Sequence, residues 1–186
     1  AESLAGADLR EMRLNGADLR ALDLSGADLQ LSDLVGADLS GVNLSGSLLL
    51  GPHLNNASLV NANLERARLG AESPSRAAML SGADAAQANM ERADLRNVEI
   101  RRANLRGSNL SGADMRGTDF HGSDLSQVAA RKSLFIKANL RETNLCKADL
   151  RDCHLNDANL VRATMHDADL SSQHPGGFTV INLAHP

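Results

Sequence analysis

From Leu4 to Leu69 leucine falls at every fifth residue, fourteen times without exception. A period of five suits neither regular element. On an α-helix, at about 100° per residue, the leucines would step by roughly 140° and circle the axis, leaving no apolar face. In a continuous strand an odd spacing would throw successive leucines to opposite faces. Every leucine stays inside only if the chain turns once per five residues. Two residues before the leucine stands a small or apolar residue, as at Ala7, Ala17, Ala27, Ala37, Val42 and Ala57. That separation is the strand period, so both side chains point to one side of a short extended segment. Two residues after the leucine glycine recurs, as at Gly6, Gly16, Gly26, Gly36, Gly41 and Gly46, which suits a corner. Each pentad is therefore one wall of a coil, and stacked coils share a core.

The array breaks at residues 70–79, where Ser73-Pro74-Ser75 reads as a loop or bulge. The frame resumes at Leu80, eleven residues after Leu69, which counts as one extra residue. Nineteen central positions follow to Leu170, and they vary more: Ala85, Met90, Ile100, Met115, Phe120, Ala130, Phe135 and Met165. Phe120, Leu125, Ala130 and Phe135 are successive central positions, where two large side chains beside a small one are expected to compensate in volume. Cys153 sits at a small inward position and is expected to be a core filler. After Leu170 the frame dissolves, and Pro175-Gly176-Gly177 marks a turn or linker. The expected organisation is a solenoid of stacked pentad walls over 1–171 and a C-terminal cap or tail over 172–186, with Phe178 and Ile181 folding back over the last coil or serving as a self-association strand.

Ala7-Asp8-Leu9, Ala17-Asp18-Leu19 and Ala37-Asp38-Leu39 resemble the signature of the pentapeptide-repeat proteins, and the resemblance covers nearly the whole chain. It implies an all-β fold, a right-handed quadrilateral β-helix with four pentads per coil and about eight coils. Stacked at ~4.8 Å per coil this makes a rod roughly 40 Å long. The Ser-Pro interruption also resembles the pentapeptide segment of eukaryotic BTB-domain adaptors of the potassium-channel-tetramerisation type. Ala1-Glu2-Ser3-Leu4 enters the frame with no visible cap. A solenoid end exposes apolar core and strand edges, so self-association or an upstream domain is expected there.

Composition narrows the function classes. Three Phe and no Trp or Tyr in 186 residues suit a narrow coil interior rather than an ordinary globular core. No apolar run of eighteen residues suggests a membrane span, and two cysteines make no disulfide framework, so a reducing, cytoplasmic setting is the default. Cys146 and His166 share a predicted column, but a metal site wants three or four ligands. No metal, cofactor or catalytic constellation stands out.

Charge divides the surface. Residues 1–70 carry nine Asp/Glu against five Lys/Arg, and residues 91–151 carry twelve Lys/Arg against eight Asp/Glu. The acidic series Asp8, Asp18, Asp23, Asp28, Asp33 and Asp38 is expected to hydrogen-bond to turn backbone rather than to form a working anionic face. In the second half Arg96 and Arg116 fall in one outward column and Arg101, His121 and Arg141 in another. Arg92, Arg102, Arg106, Arg131, Lys132 and Lys137 lie nearby. Like charges one strand apart repel, so Arg96, Arg101, Arg116 and Arg141 are the candidate contacts for an acidic protein partner, and Arg96 and Arg116 are expected to tolerate reversal to Glu. Direct nucleic-acid binding is not expected, since the chain is acidic overall and lacks exposed aromatics for stacking. Leu31, Val35, Leu48, Leu50 and Val60 at outward positions suggest a contact patch if they cluster. The expected function is a non-enzymatic scaffold that presents rigid faces to a protein. The alternative, implied by the resemblance, is a DNA mimic that binds a type II topoisomerase such as gyrase.

Overall fold

The computed structural model describes residues 3–20, 22–172 and the backbone of 180–181. Every pentad forms one wall, and the residue before each central leucine bridges in parallel to its counterpart one coil on. Four columns of bridges result. Wall A runs through residues 3, 23, 43, 63, 89, 109, 129, 149 and 169, and wall B through 8, 28, 48, 68, 94, 114, 134 and 154. Wall C runs through 13, 33, 53, 79, 99, 119, 139 and 159, and wall D through 18, 38, 58, 84, 104, 124, 144 and 164. The described residues therefore build just over eight coils of four walls.

The backbone of one wall shows why the pentad reads as it does. Around Leu39, Ala37 N–H donates to Leu34 O (3.0 Å) across the corner. Asp38 N–H reaches back to Ala17 O (2.9 Å), while Leu39 and Gly41 N–H reach forward to Ser58 O (2.8 Å) and Val60 O (2.9 Å). The fifth donor, Ser40 N–H, finds the Asp38 side chain at 3.0 Å. A buried or half-buried N–H needs a partner, and only a short acceptor side chain before the leucine can reach this one. The same contact recurs from Asp8, Asp18, Asp23, Asp28 and Asp33. The acidic series is thus turn chemistry, as its spacing suggested. Outside the insertion, the described residue two after each central position from Leu4 to Met165 takes a positive φ whether or not it is glycine, from Gly6 at 68° to Leu31 at 59° and Asp167 at 58°.

The core is one continuous column of central and preceding residues, from Leu24 through Ala158. Phe120 and Phe135 are both fully buried, with ring centroids 6.2 Å apart at 52°, and Ala130 is fully buried in the same coil. At the first coil Leu9, Leu14 and Leu19 are only partly buried and Leu4 and Met12 are exposed. Cys153 fills a core position. Its thiol donates to Ala130 O at 2.7 Å, and burial pushes its pKa up to about 12. Thr118, Ser123 and Ser133 likewise donate inward to Leu95, Ile100 and Leu110 carbonyls. Ser108 occupies an equivalent place, yet its buried hydroxyl has no partner. Ser108→Ala is therefore expected to raise stability by about 1 kcal/mol, and Ser133→Ala to lower it by a similar amount. Paired urea denaturation curves measure both.

The interruption is larger than linear counting implied. Bridges across it, such as His53↔Met79 and Arg68↔Asp94, join residues 26 apart, against 20 elsewhere, so six residues are inserted. They leave the corner between walls B and C, form a short 3-10 turn at Pro74–Arg76, and return without adding a wall. The same step of 26 recurs at the C-terminal end. There β1 (His154–Leu155) pairs in parallel with β2 (Val180–Ile181), His154 opposite Val180. Ile181 thus extends wall B by backbone pairing. Phe178 and most of the expected cap lie outside the described residues. None of the described helices is long and apolar enough to cross a membrane.

Candidate interaction surface

Arginine two residues after aspartate recurs on the walls, and its geometry repeats. The pairs are Asp8/Arg10, Asp18/Arg20, Asp94/Arg96, Asp114/Arg116 and Asp149/Arg151, each a two-pronged clamp of guanidinium on carboxylate. Four of these arginines also approach the aspartate of the next coil, for example Arg20 to Asp38 at 3.4 Å and Arg96 to Asp114 at 3.8 Å. Parallel N–H···O bonds between a planar guanidinium and a carboxylate are strong and directional. The clamps tie wall to wall along the rod.

Arg96 and Arg116 do share a column on wall B, but they are not left to repel each other. Asp94 and Asp114 interleave with them, and Glu72 of the inserted loop adds a further ion pair to Arg96. Asn97 holds the loop as well, donating to Ala71 O at 2.8 Å. The expectation that arginine-against-arginine repulsion dominates this column is therefore corrected: interleaved carboxylates one coil apart outweigh it. Arg96, with 23% of its side chain exposed, acts as a structural clamp. Its reversal to Glu would face Asp94 and Asp114 and cost stability, contrary to the tolerance expected.

On wall C, Arg101 donates through Nε to Asp119 at 2.6 Å, and Arg141 through Nε to Glu142 at 3.2 Å. Both side chains are about half exposed, 53% and 47%, and no further hydrogen bond occupies their terminal nitrogens among the described residues. His121 lies between them, its Nδ1 3.1 Å from Arg141 O. With Asp119, Asn139 and Glu142 they line an open groove of about 310 Å³. A second groove, of about 360 Å³, lies on wall B between Arg96, Arg116, Lys137 and Glu72. Wall A carries an amide ladder instead, Asn109 to Asn89 to Asn63 to Asn43 to Asp23, with steps of 3.0–3.1 Å. Leu31, 64% exposed, lies beside half-buried Leu50 of the next coil on wall B, while Val60 stands apart on wall D. Cys146 and His166 are stacked neighbours, and no group of three metal-ligating side chains occurs among the described residues.

The clamps give stability a sign in acid. Burial by itself would raise the Asp94 pKa, but the Arg96 side chain and backbone donors outweigh it and hold the carboxyl below the ordinary range. Asp149 is lowered chiefly by the Arg151 side chain. A folded pKa below the unfolded one gives stability that is complete above about pH 4 and is lost as pH falls through the folded value. Unfolding midpoints in urea are expected to fall steeply below pH 4. Asp94→Asn should flatten that slope while lowering the midpoint at pH 7.

A closed four-walled solenoid whose charges are caged on flat outer faces is a repeat protein of the β-helix class. The chain belongs to the pentapeptide-repeat family: the family model for pentapeptide repeats matches residues 3–41, 37–70, 76–112, 100–135 and 138–172. The fold is accordingly the right-handed quadrilateral β-helix. Among solved structures, HetL of the cyanobacterium Nostoc sp. strain PCC 7120 is similar at 30% identity, over 94% of this chain and 77% of that one, with a TM-score of 0.39. It is described as a pentapeptide repeat protein involved in heterocyst differentiation regulation. A second Nostoc PCC 7120 pentapeptide repeat protein is similar at 32% identity over 48% of this chain and 69% of its own, TM-score 0.43. QnrB1, a plasmid-mediated fluoroquinolone resistance protein, is 20% identical over 90% of this chain and 88% of its own, TM-score 0.29. No curated protein sequence matches the chain.

Proposed function

We propose that the chain is a non-enzymatic protein-interaction scaffold, and that an acidic segment of a protein partner docks on wall C across Arg101 and Arg141, with Arg116 contributing from the adjoining wall. The observation that supports this is the wall C groove, where two half-exposed guanidinium groups are held through Nε and point their terminal nitrogens outward. A guanidinium fixed in this way loses little side-chain freedom when it grips a second carboxylate. The rigid ladder beneath keeps the two groups at constant separation. A DNA-mimic role is less well supported, because the net charge is only −4 and the first-half aspartates are engaged in turns and clamps.

The test compares the wild-type chain with Arg101→Gln/Arg141→Gln as immobilised bait in lysate of the source cells, at low and high salt. A protein retained by the wild type at low salt, and lost from the variant and at high salt, supports the reading. Equal recovery on both baits sinks it. A parallel gyrase supercoiling assay separates the alternative: inhibition at sub-micromolar chain would favour the topoisomerase mimic.

A further inference from the structure

Of the second-half arginines one place after a central residue, Arg131 alone is preceded two residues earlier by a side chain with no acceptor atom. Arg131 follows the central Ala130 of wall A as Arg151 follows Leu150, but the place of the clamping aspartate is taken by Ala129. Where Asp149 accepts both the Arg151 backbone N–H and its guanidinium, Ala129 can accept neither. The consequence is visible in the side chain: Arg131 Nε is buried and has no hydrogen-bond partner. A buried charged donor without an acceptor is costly, and it leaves the outer nitrogens of the Arg131 guanidinium without the clamp that holds them elsewhere. The amide ladder of wall A, which climbs through Asn89 and Asn109, also stops here, because Ala129 offers nothing to continue it.

The neighbours decide the chemistry of that occupant. Arg131 lies in an open cavity of about 320 Å³ with Lys132, Arg92, Ser111 and Gly112, and Glu91 at its edge. Glu91 is engaged by Arg92 at 3.6 Å, whereas Lys132 makes no ion pair among the described residues. Gly112 has no side chain, which leaves room between Arg92 in the coil before and Lys132 in the coil after. Lys132 without an ion pair, Arg131 whose charge reaches only the already clamped Asp149 of the next coil, Arg92 half-neutralised by Glu91 and a serine hydroxyl suit a compact dianion with several acceptor oxygens better than a single carboxylate.

We infer that wall A binds a small phosphate-class oxyanion at Arg131, in the cavity that it shares with Lys132, Arg92 and Ser111. Arg131 supplies the outer nitrogens of its guanidinium, Lys132 and Arg92 close the charge from either coil, and Ser111 turns its hydroxyl to the anion from the Ala129 carbonyl, to which it donates at 3.4 Å. The site is separate from the groove on wall C and does not depend on the partner reading.

Backbone amide NMR shifts of the full chain are to be followed during titration with inorganic phosphate, ionic strength being held with sodium chloride. A second titration uses glycerol phosphate and distinguishes free anion from monoester. Saturable shifts confined to Ser111, Gly112, Arg131 and Lys132, with a Kd of about 1 mM, are expected for at least one of the two. Ala129→Asp is the decisive variant, because it installs the missing carboxylate without removing any cation. It should weaken anion binding at least tenfold, and Lys132→Gln should weaken it severalfold with the fold intact. Shifts that fail to saturate, that sodium chloride alone reproduces, or that persist undiminished in Ala129→Asp would overturn the assignment.

Discussion

Replacing Gly70 by alanine is expected to destabilise the chain by about 3 kcal/mol, the cost of forcing a methyl group into filled space. Gly70 is buried where the chain leaves wall B for the inserted loop. A Cβ there would lie 2.2 Å from Arg96 N, 2.5 Å from Asp94 Oδ1 and 2.8 Å from Arg96 O. None of these atoms can swing aside. Two are backbone, and the third is the carboxylate that clamps Arg96. Gly36 provides the contrast, since a Cβ there meets nothing within 4 Å and only its φ of +66° opposes a side chain. Gly36→Ala should cost only about 1 kcal/mol, the left-handed backbone penalty. Urea midpoints of the two variants test the ordering. Equal losses would mean that the corner relaxes and that the loop is not anchored through Arg96 and Asp94.

The second large effect is expected in the coil that carries both phenylalanines. Phe120→Ala removes a fully buried ring in contact with Phe135 and should cost about 3–5 kcal/mol, transfer and cavity contributions together. Ala130 lies on wall A, opposite Phe120 on wall C. Ala130→Leu alone should overpack the coil and cost about 1–3 kcal/mol. Combined with Phe120→Ala it should instead recover part of the loss, because the added side chain enters the new cavity. A double-mutant cycle from denaturation curves reads this directly. Additive effects would show that the two walls do not share volume, and that the small residue at 130 has no bearing on the large ones.

Much of this was legible in the chain because the pentad is a local code. The period of five identifies the turn, the separation of two identifies the inward pair, and the aspartate before the leucine answers a donor only two residues away. Each of those relations is completed within one wall, so it survives without knowledge of neighbours. That Phe120, Phe135 and Ala130 share one buried coil was legible too, once four walls were assigned to a coil. The four walls and the handedness came from family resemblance, since five-residue spacing alone does not set how many corners close a ring.

What only the tertiary structure decided are relations between coils, whose partners lie 20 or 26 residues apart. Counting in fives took the insertion at 70–79 as one residue, because a loop that leaves and re-enters at one corner looks in sequence like another pentad. The arginine columns were placed correctly but misjudged in energy. Arg96 and Arg116 are neighbours, yet Asp94 and Asp114 stand between them, and the attraction of each guanidinium to these carboxylates outweighs the repulsion between the two. The spacing of Asp and Arg two apart was present throughout as a signal for those clamps. Its absence before Arg131, where Ala129 brings no acceptor at all, became informative only when the buried Nε was seen to have no other partner. Periodicity sets which way each side chain points; whether a charge finds its counter-charge depends on packing between coils, which no single pentad contains.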